Sequence, residues 1–280
     1  MRLASLFVLC ACAHTFASES TLSVEEIVRR SCERQAHDLE LRKQYTYKQA
    51  DDVRMLHKDG GTKERKQKTF EVLYISGTQY RRLIEKDGRP LNEKEAREEE
   101  AKMDREIRKR KGESDGDRRK RLGKEQKELD EDRKNRTEIP RAFEFTLLGE
   151  EVVSGRPCWK LQAEPRPGYK PNSRASSFMS KIHGTLWVDK QDYDWARIDA
   201  ESLETFTVGL GLFKIGKGAH MQLEQHRVND EIWAPKEARM KANAKALFLV
   251  GGNFDMQFRF YDYRKYSVDS TVTVAAEGEK

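Results

Sequence analysis

Four cysteines are spread over 280 residues. No C-x-x-C pair and no Cys/His spacing of the kind that holds zinc occurs among them, so a metal-stapled fold is excluded. The chain also has no G-x-S-x-G turn, no Walker-type loop, no G-x-G-x-x-G and no H-E-x-x-H. The usual signatures of hydrolases, nucleotide binders and zinc proteases are therefore missing. Long apolar runs are equally scarce. The one that stands out covers residues 3–13, well short of the about 20 residues that a membrane-spanning helix needs. No catalytic residue, no metal site and no cofactor is expected.

That short run has its own meaning. Arg2 precedes it, and Thr15-Phe16-Ala17 follows with small residues at both flanking positions of a cleavage site after Ala17. This is the layout of a secretory signal peptide at 1–17, which implies export to a periplasm. A second reading is an outer-membrane lipoprotein processed at Cys12, after the small Ala11. Simple cleavage removes Cys10 and Cys12 and leaves Cys32 and Cys158 in an oxidising compartment. Two outcomes are open for that pair: a disulfide worth up to about 5 kcal/mol in the chain-entropy model, or two buried free thiols.

A basic cluster invites a different idea. Eight Lys or Arg residues lie between Arg108 and Arg121, which resembles a nucleic-acid arm. The wider zone, residues 92–136, holds 17 Lys plus Arg against 15 Asp plus Glu and no aromatic residue. A strand-binding arm needs excess positive charge and stacking rings, so nucleic acid is excluded as a partner. Opposite charges recur four apart, as Glu93 with Arg97, Glu98 with Lys102, Asp104 with Arg108 and Asp130 with Lys134, a spacing that supports a solvated helix. Residues 112–117 are expected to break it into a helical hairpin between strands. An anionic membrane surface is a secondary partner for the Arg108–Arg121 cluster.

Either side of this zone the patterning is of two kinds. Ser23 with Glu26 reads as a capping box. Val24, Ile27, Val28, Cys32, Ala36 and Leu39 follow at helical spacing, which predicts an amphipathic helix. From Tyr45 onward, period-two runs separated by Ser76-Gly77, Asp87-Gly88, Ser154-Gly155 and Asn229-Asp230 predict an antiparallel meander. Phe143, Phe145, Leu147, Trp159, Leu161, Met221, Leu223, Met256, Phe258 and Phe260 fall on inward faces. A sheet of this size must curl, and one helix cannot fill it, so these ten residues are candidate lining of an apolar cavity. His220, Glu224 and His226 share one face of a predicted strand, the arrangement of a metal site or an oriented general base. With Met221 and Leu223 on the other face, the histidines are expected to face solvent. Residues 209–218, "GLGLFKIGKG", lack a strand–loop–helix context for phosphate and read as a flexible connection or flap at the cavity mouth.

Together, the export signal, the first helix, Tyr45–Tyr47 entering a strand, "GTLWVDK" at 184–190 and "VNDEIWAP" at 228–235 resemble the LolA/LolB-like superfamily of periplasmic lipoprotein-sorting carriers and RseB-like envelope sensors. The resemblance implies an α+β fold in which a curled antiparallel sheet, an incomplete β-barrel, wraps an N-terminal amphipathic helix. It implies one domain over 18–280, with residues 92–136 as a charged helical insertion the carriers lack. It further implies non-catalytic binding of a lipid or acylated protein, with outer-membrane lipoprotein sorting among the family's roles. The alternative is an envelope interaction or sensor module acting through the charged helices. No binding residue of the family is carried over.

Overall fold

The computed structural model describes residues 22–173, 175–208, 213–246 and 251–266. The expected signal segment and Cys10, Cys12 and residues 209–212 of the expected flap lie outside them. Helix α1 (Val24–Arg42) opens with the Ser23 hydroxyl accepting from the Glu26 amide at 3.2 Å. Only half of the capping box forms, because the Glu26 carboxylate turns to Arg29 and Arg30. The chain then makes β1 (Tyr45–Leu56), β2 (Thr62–Ile75), β3 (Thr78–Lys86) and the short β4 (Arg89–Pro90). The charged zone forms α2 (Glu93–Lys111) and α3 (Asp115–Ala142), broken at residues 112–114. A second meander follows as β5 (Phe143–Val153), β6 (Arg156–Pro165), a 3₁₀ helix (Ala175–Lys181), β7 (Ile182–Asp189) and β8 (Trp195–Ser202). Short β9 (Phe206–Val208) and β10 (Phe213–Ile215) lead to β11 (His220–Val228), β12 (Ile232–Ala246) and β13 (Gly252–Lys265).

All strand pairs are antiparallel, and the order across the sheet is β4-β3-β2-β1-β13-β12-β11-β8-β7-β6-β5, with β9 and β10 hanging from β12. The sheet does not close on itself, which is the incomplete barrel expected. The predicted turns have the backbone that strand twist demands: Ser76 and Gly77 both have positive φ (47° and 85°), as do Ser154 and Gly155 (49° and 80°). Gly184 is required for another reason, since a Cβ there would come 2.3 Å from the Asp199 carbonyl oxygen. β4 lies at one edge of the sheet and β5 at the other. The charged helices therefore carry the chain from edge to edge, and α3, 28 residues long, spans roughly 40 Å at 1.5 Å per residue.

Those helices are less solvated than their composition predicts. Met103 of α2 is 2% exposed and packs with Ile107 on Leu73, Ile75 and Tyr80. α3 runs past Arg136 through Pro140 to Ala142, and its last turn packs against Phe143 and Met179. Of the four expected ion pairs, Glu93–Arg97 forms at 3.1 Å. Lys102 turns to Glu99, and Asp130 pairs with Arg133 at 3.2 Å. The turn between β2 and β3 is held in the fork of the two helices. Arg110 donates to the carbonyls of Ile75 and Thr78, while Arg121 donates to the Ser76 carbonyl and the Thr78 hydroxyl and grips Glu113 with two bonds.

α1 lies on the concave face, burying Ile27, Val28 and Cys32 against Leu161, Leu186, Val188 and Trp195. Beneath it is a polar network. Asp194, fully buried, accepts from Arg34 Nε at 2.9 Å and Gln35 Nε2 at 2.6 Å. Asp38 accepts from the Trp233 amide at 3.0 Å, the Trp195 indole donates to Ser31, and Arg42 donates to the Trp233 carbonyl and to Gln225. Burial, with Asp38 beside it, pushes the Asp194 carboxyl up to about 7 despite Arg34. On the convex face Cys158 joins Val153, Trp187, Ala196 and Trp233. Cys32 and Cys158 thus sit in separate clusters on opposite faces of the sheet, both free. The disulfide held open by the sequence is not formed; two buried thiols are what the fold contains.

A carboxyl whose folded pKa lies above its unfolded value holds its proton preferentially in the native state, so it costs stability as pH rises from about 4 to about 7. The difference in urea-unfolding free energy between Asp194→Asn and the parent chain should shift across that window in favour of the variant, on the order of 1–4 kcal/mol, and be flat outside it. Arg121→Ala should remove the clamp on the β2–β3 turn and cost about 1–3 kcal/mol, with hydrogen exchange accelerating first at the amides of residues 74–79.

Candidate functional site: an apolar trough on the concave face

Strand register places two rows of side chains across the concave face. In the first, Leu147, Leu161, Leu186, Ile198, Leu223, Ala238 and Phe258 stand opposite one another in turn, from β5 to β13, and Asp51 of β1 ends the row. In the second, two residues along, the order is Phe145, Ala163, Gly184, Ala200, Met221, Met240, Met256 and Val53. The rows cross eight strands, roughly 33 Å at the spacing of paired strands.

Helix α1 covers one end of these rows. Leu161 and Leu186 are core beneath it, with Phe145, Trp159 and Ile198 packed at the rim of the same cluster. Further along the cover stops. Leu223, Met256, Phe258 and Val53 are only half-buried, and Met221 is 43% exposed. Among the described residues, none of these five joins the buried clusters. Met240 does, packing with Ile215, Ala219 and Phe206 where β9 and β10 fold over β12. The result is a trough four strands wide, from β11 to β1, floored by aliphatic, Met and Phe side chains. Methionine suits such a floor, because an unbranched, polarisable chain adapts to an apolar guest.

The ten sequence candidates separate accordingly. Phe143 is core, packed with Ala142 and Met179. Phe145, Trp159 and Leu161 lie under α1. Leu147, 45% exposed, lies on the open edge strand β5, with Leu148 and Val152 also exposed there. Met221, Leu223, Met256 and Phe258 come together in the trough. Phe260 lies at its end in a pocket of about 150 Å3 with Tyr45, Tyr47, Tyr74 and Tyr263. Val53 and Met240 were missed, and alternation was their only signal: Val53 is flanked by Asp52 and Arg54 in a charged-looking strand. The tyrosines were missed as a group because they come from three distant segments.

The histidine constellation does not assemble. The register of β11 against β12 shifts between Glu224 and Gln225. His220 pairs with Asp199 at 2.5 Å, Glu224 with Lys236 and Ser154, and His226 packs edge-on to Tyr263 with its ring centroid 5.7 Å away. Burial holds the His226 imidazole below its ordinary pKa. Among the described residues no cluster of His, Cys, Asp and Glu is placed to hold a metal. Asp189, which resembles a reactive buried acid, is structural: it accepts from Arg156 at 2.6 and 2.8 Å and from two amides of its own turn, and these bonds hold its carboxyl below the usual range despite burial. No helix among the described residues is long and apolar enough to cross a membrane.

No protein-family model and no curated protein matches this chain. Solved structures with a similar layout do exist. One is described as an outer membrane lipoprotein-sorting protein domain from Vibrio parahaemolyticus, with 11% identity, 86% of this chain and 92% of that chain covered, and a TM-score of 0.33. A LolA superfamily protein from Nitrosomonas europaea covers 89% and 96% of the two chains at 9% identity and a TM-score of 0.30. The MucA/MucB complex of Pseudomonas aeruginosa provides a chain matched over 87% and 99% at 10% identity and a TM-score of 0.23. The first two carry the lipoprotein-sorting and LolA names that the sequence motifs resemble. At these identities and scores the likeness concerns chain layout alone.

Proposed function

We propose that the chain is a non-catalytic protein of the cell envelope that shelters an acyl chain, from a lipid or a lipidated protein, on the concave face of its sheet. The observation that carries this reading is the uncovered continuation of the two apolar rows past α1. A sheet face that only needed a core would end where its helix ends. Here Met221, Leu223, Met256, Phe258 and Val53 continue the floor, and among the described residues none of them joins a buried cluster. An acyl chain needs no polar recognition motif, since each CH₂ removed from water contributes about 0.8 kcal/mol. That accounts for a binding protein without an assembled catalytic constellation. Export through the segment at 1–17, one domain over 18–280 and a role in lipoprotein sorting belong to the same proposal.

The trough is testable without knowing the natural ligand. Met221→Glu and Phe258→Glu each put a charge on the floor, and burying that charge under a guest is costly. Uptake of a fluorescent fatty acid should weaken by about tenfold or more in both, with the thermal midpoint nearly unchanged because neither side chain belongs to the core. Leu147→Glu, on the exposed edge, should bind like the parent chain. Native mass spectrometry of protein purified from a Gram-negative periplasm should show a stoichiometric lipid or acyl peptide. A bare mass, together with failure to take up added lipid, would sink the proposal.

A further inference from the structure

The floor of the trough leads into a polar cleft that the acyl chain itself has no use for. Phe260, two residues beyond Phe258 on β13, forms part of the wall of the tyrosine pocket. That pocket shares Arg42 and Tyr74 with a cleft of about 490 Å3 between the end of α1, the face of α3 and the β2–β3 turn. The cleft exists because α3 crosses from one sheet edge to the other.

Its charges are arranged in a specific way. Five cations line it: Arg42, Lys43, Arg110, Arg121 and Lys124. Four of these already have carboxylate partners, in Glu40, Glu106, Glu113 and Glu128 respectively. Arg42 lies over the buried acids Asp38 and Asp194, whose charges act on it. No surplus of positive charge is left to hold a purely anionic group. On the other side, Glu125 of α3 lines the same cleft and makes no hydrogen bond or ion pair within the protein among the described residues. Tyr74 lines the same cleft and stacks on Tyr266 at 5.7 Å with 27° between their planes, and the charge of Glu125 acts on both phenols. Burial raises its carboxyl above the ordinary glutamate value. A carboxylate set beside stacked aromatic faces is the environment that stabilises an organic ammonium.

We propose that this cleft receives the zwitterionic phosphate–ammonium headgroup of an amphiphile whose acyl chain lies on the trough, with the ammonium against Glu125 and the Tyr74–Tyr266 rings and the phosphate toward Lys43 and Lys124. This rests on the acyl-chain reading above. Lys124 is the cation freest to turn, 81% exposed and 4.0 Å from its partner, whereas Lys43, on the C-cap of α1, would exchange its 3.1 Å pair with Glu40 for the phosphate. Arg110 and Arg121 are committed to the β2–β3 turn.

The test compares three amphiphiles of one acyl length by titration calorimetry below their aggregation concentrations: lysophosphatidylethanolamine, lysophosphatidylglycerol and monoacylglycerol. The parent chain should bind the ethanolamine lipid roughly three- to thirtyfold more tightly than the glycerol lipid, the span a cation–aromatic contact supplies. Glu125→Gln, which breaks no internal bond, should bring that ratio near one while leaving monoacylglycerol affinity unchanged. Tyr74→Leu should reduce the ratio in the same direction. If lysophosphatidylglycerol binds as well as or better than lysophosphatidylethanolamine, or if Glu125→Gln leaves the ratio intact, the headgroup site is overturned and the trough stands. If none of the three binds, the trough reading falls and the headgroup site with it.

Discussion

The seating of α1 on a buried acid decides most of what this fold can do. Asp194 lies under the helix with no exposure, and Asp38 of the helix is buried as fully. The counter-groups of Asp194, Arg34 and Gln35, belong to α1, and Asp38 accepts in turn from the Trp233 amide of β12. A buried carboxylate stripped of its partner costs several kcal/mol, so α1 has one acceptable register on the sheet. Arg42, at the end of the helix, is tied to the Trp233 carbonyl and Gln225. This places the last turn of α1 over β11 and β12. The point at which α1 stops is the point at which core becomes trough.

The second constraint is topological. Because the two meanders end at opposite edges of an open sheet, the connection between them must traverse the sheet. A charged helical hairpin does this without demanding core of its own. Met103 and Ile107 dock α2 on one face of the β2–β3 hairpin, while α3 passes along α1 and on to β5. A set of charges that looks like ornament in the sequence is therefore a strut, and its inward side makes one wall of the polar cleft. The arginines holding the β2–β3 turn saturate carbonyls that a free hairpin tip would show to water.

The contrast within each row is also informative. Residues of one chemical kind have opposite fates: Leu161 is buried completely, whereas Leu223 is half-open and Met221 largely exposed. Nothing about the residues decides this. Small side chains at Ala163, Gly184 and Ala200 lower the floor midway along the second row, and the bulky methionines begin beyond them. The proposed guest would complete the layer that α1 begins.

Much of this was legible beforehand. Periodicity alone placed α1, the long strands and most of their turns, since each depends on local backbone preference and on which side chains alternate, whereas β10 formed inside the 209–218 segment that reads as a flexible connection. The charge spacing of residues 92–136 pointed to helices, which α2 and α3 are. What the sequence could not determine was everything that depends on which strands become neighbours. The inward faces were readable, but not which part of them α1 would leave open, so Phe143 and Leu147 stood beside Met221 and Phe258 as equals. His220, Glu224 and His226 are each taken up by a different partner, Asp199, Lys236 and Tyr263, brought in from other strands. Cys32 and Cys158 had a plausible spacing, and only the packing set a sheet between them. The tyrosine pocket joins β1, β2 and β13, brought together by pairings across the whole chain. Local pattern determines elements, because its physics acts over a few residues. Sites are decided by long-range contacts, whose partners meet only once the sheet has curled.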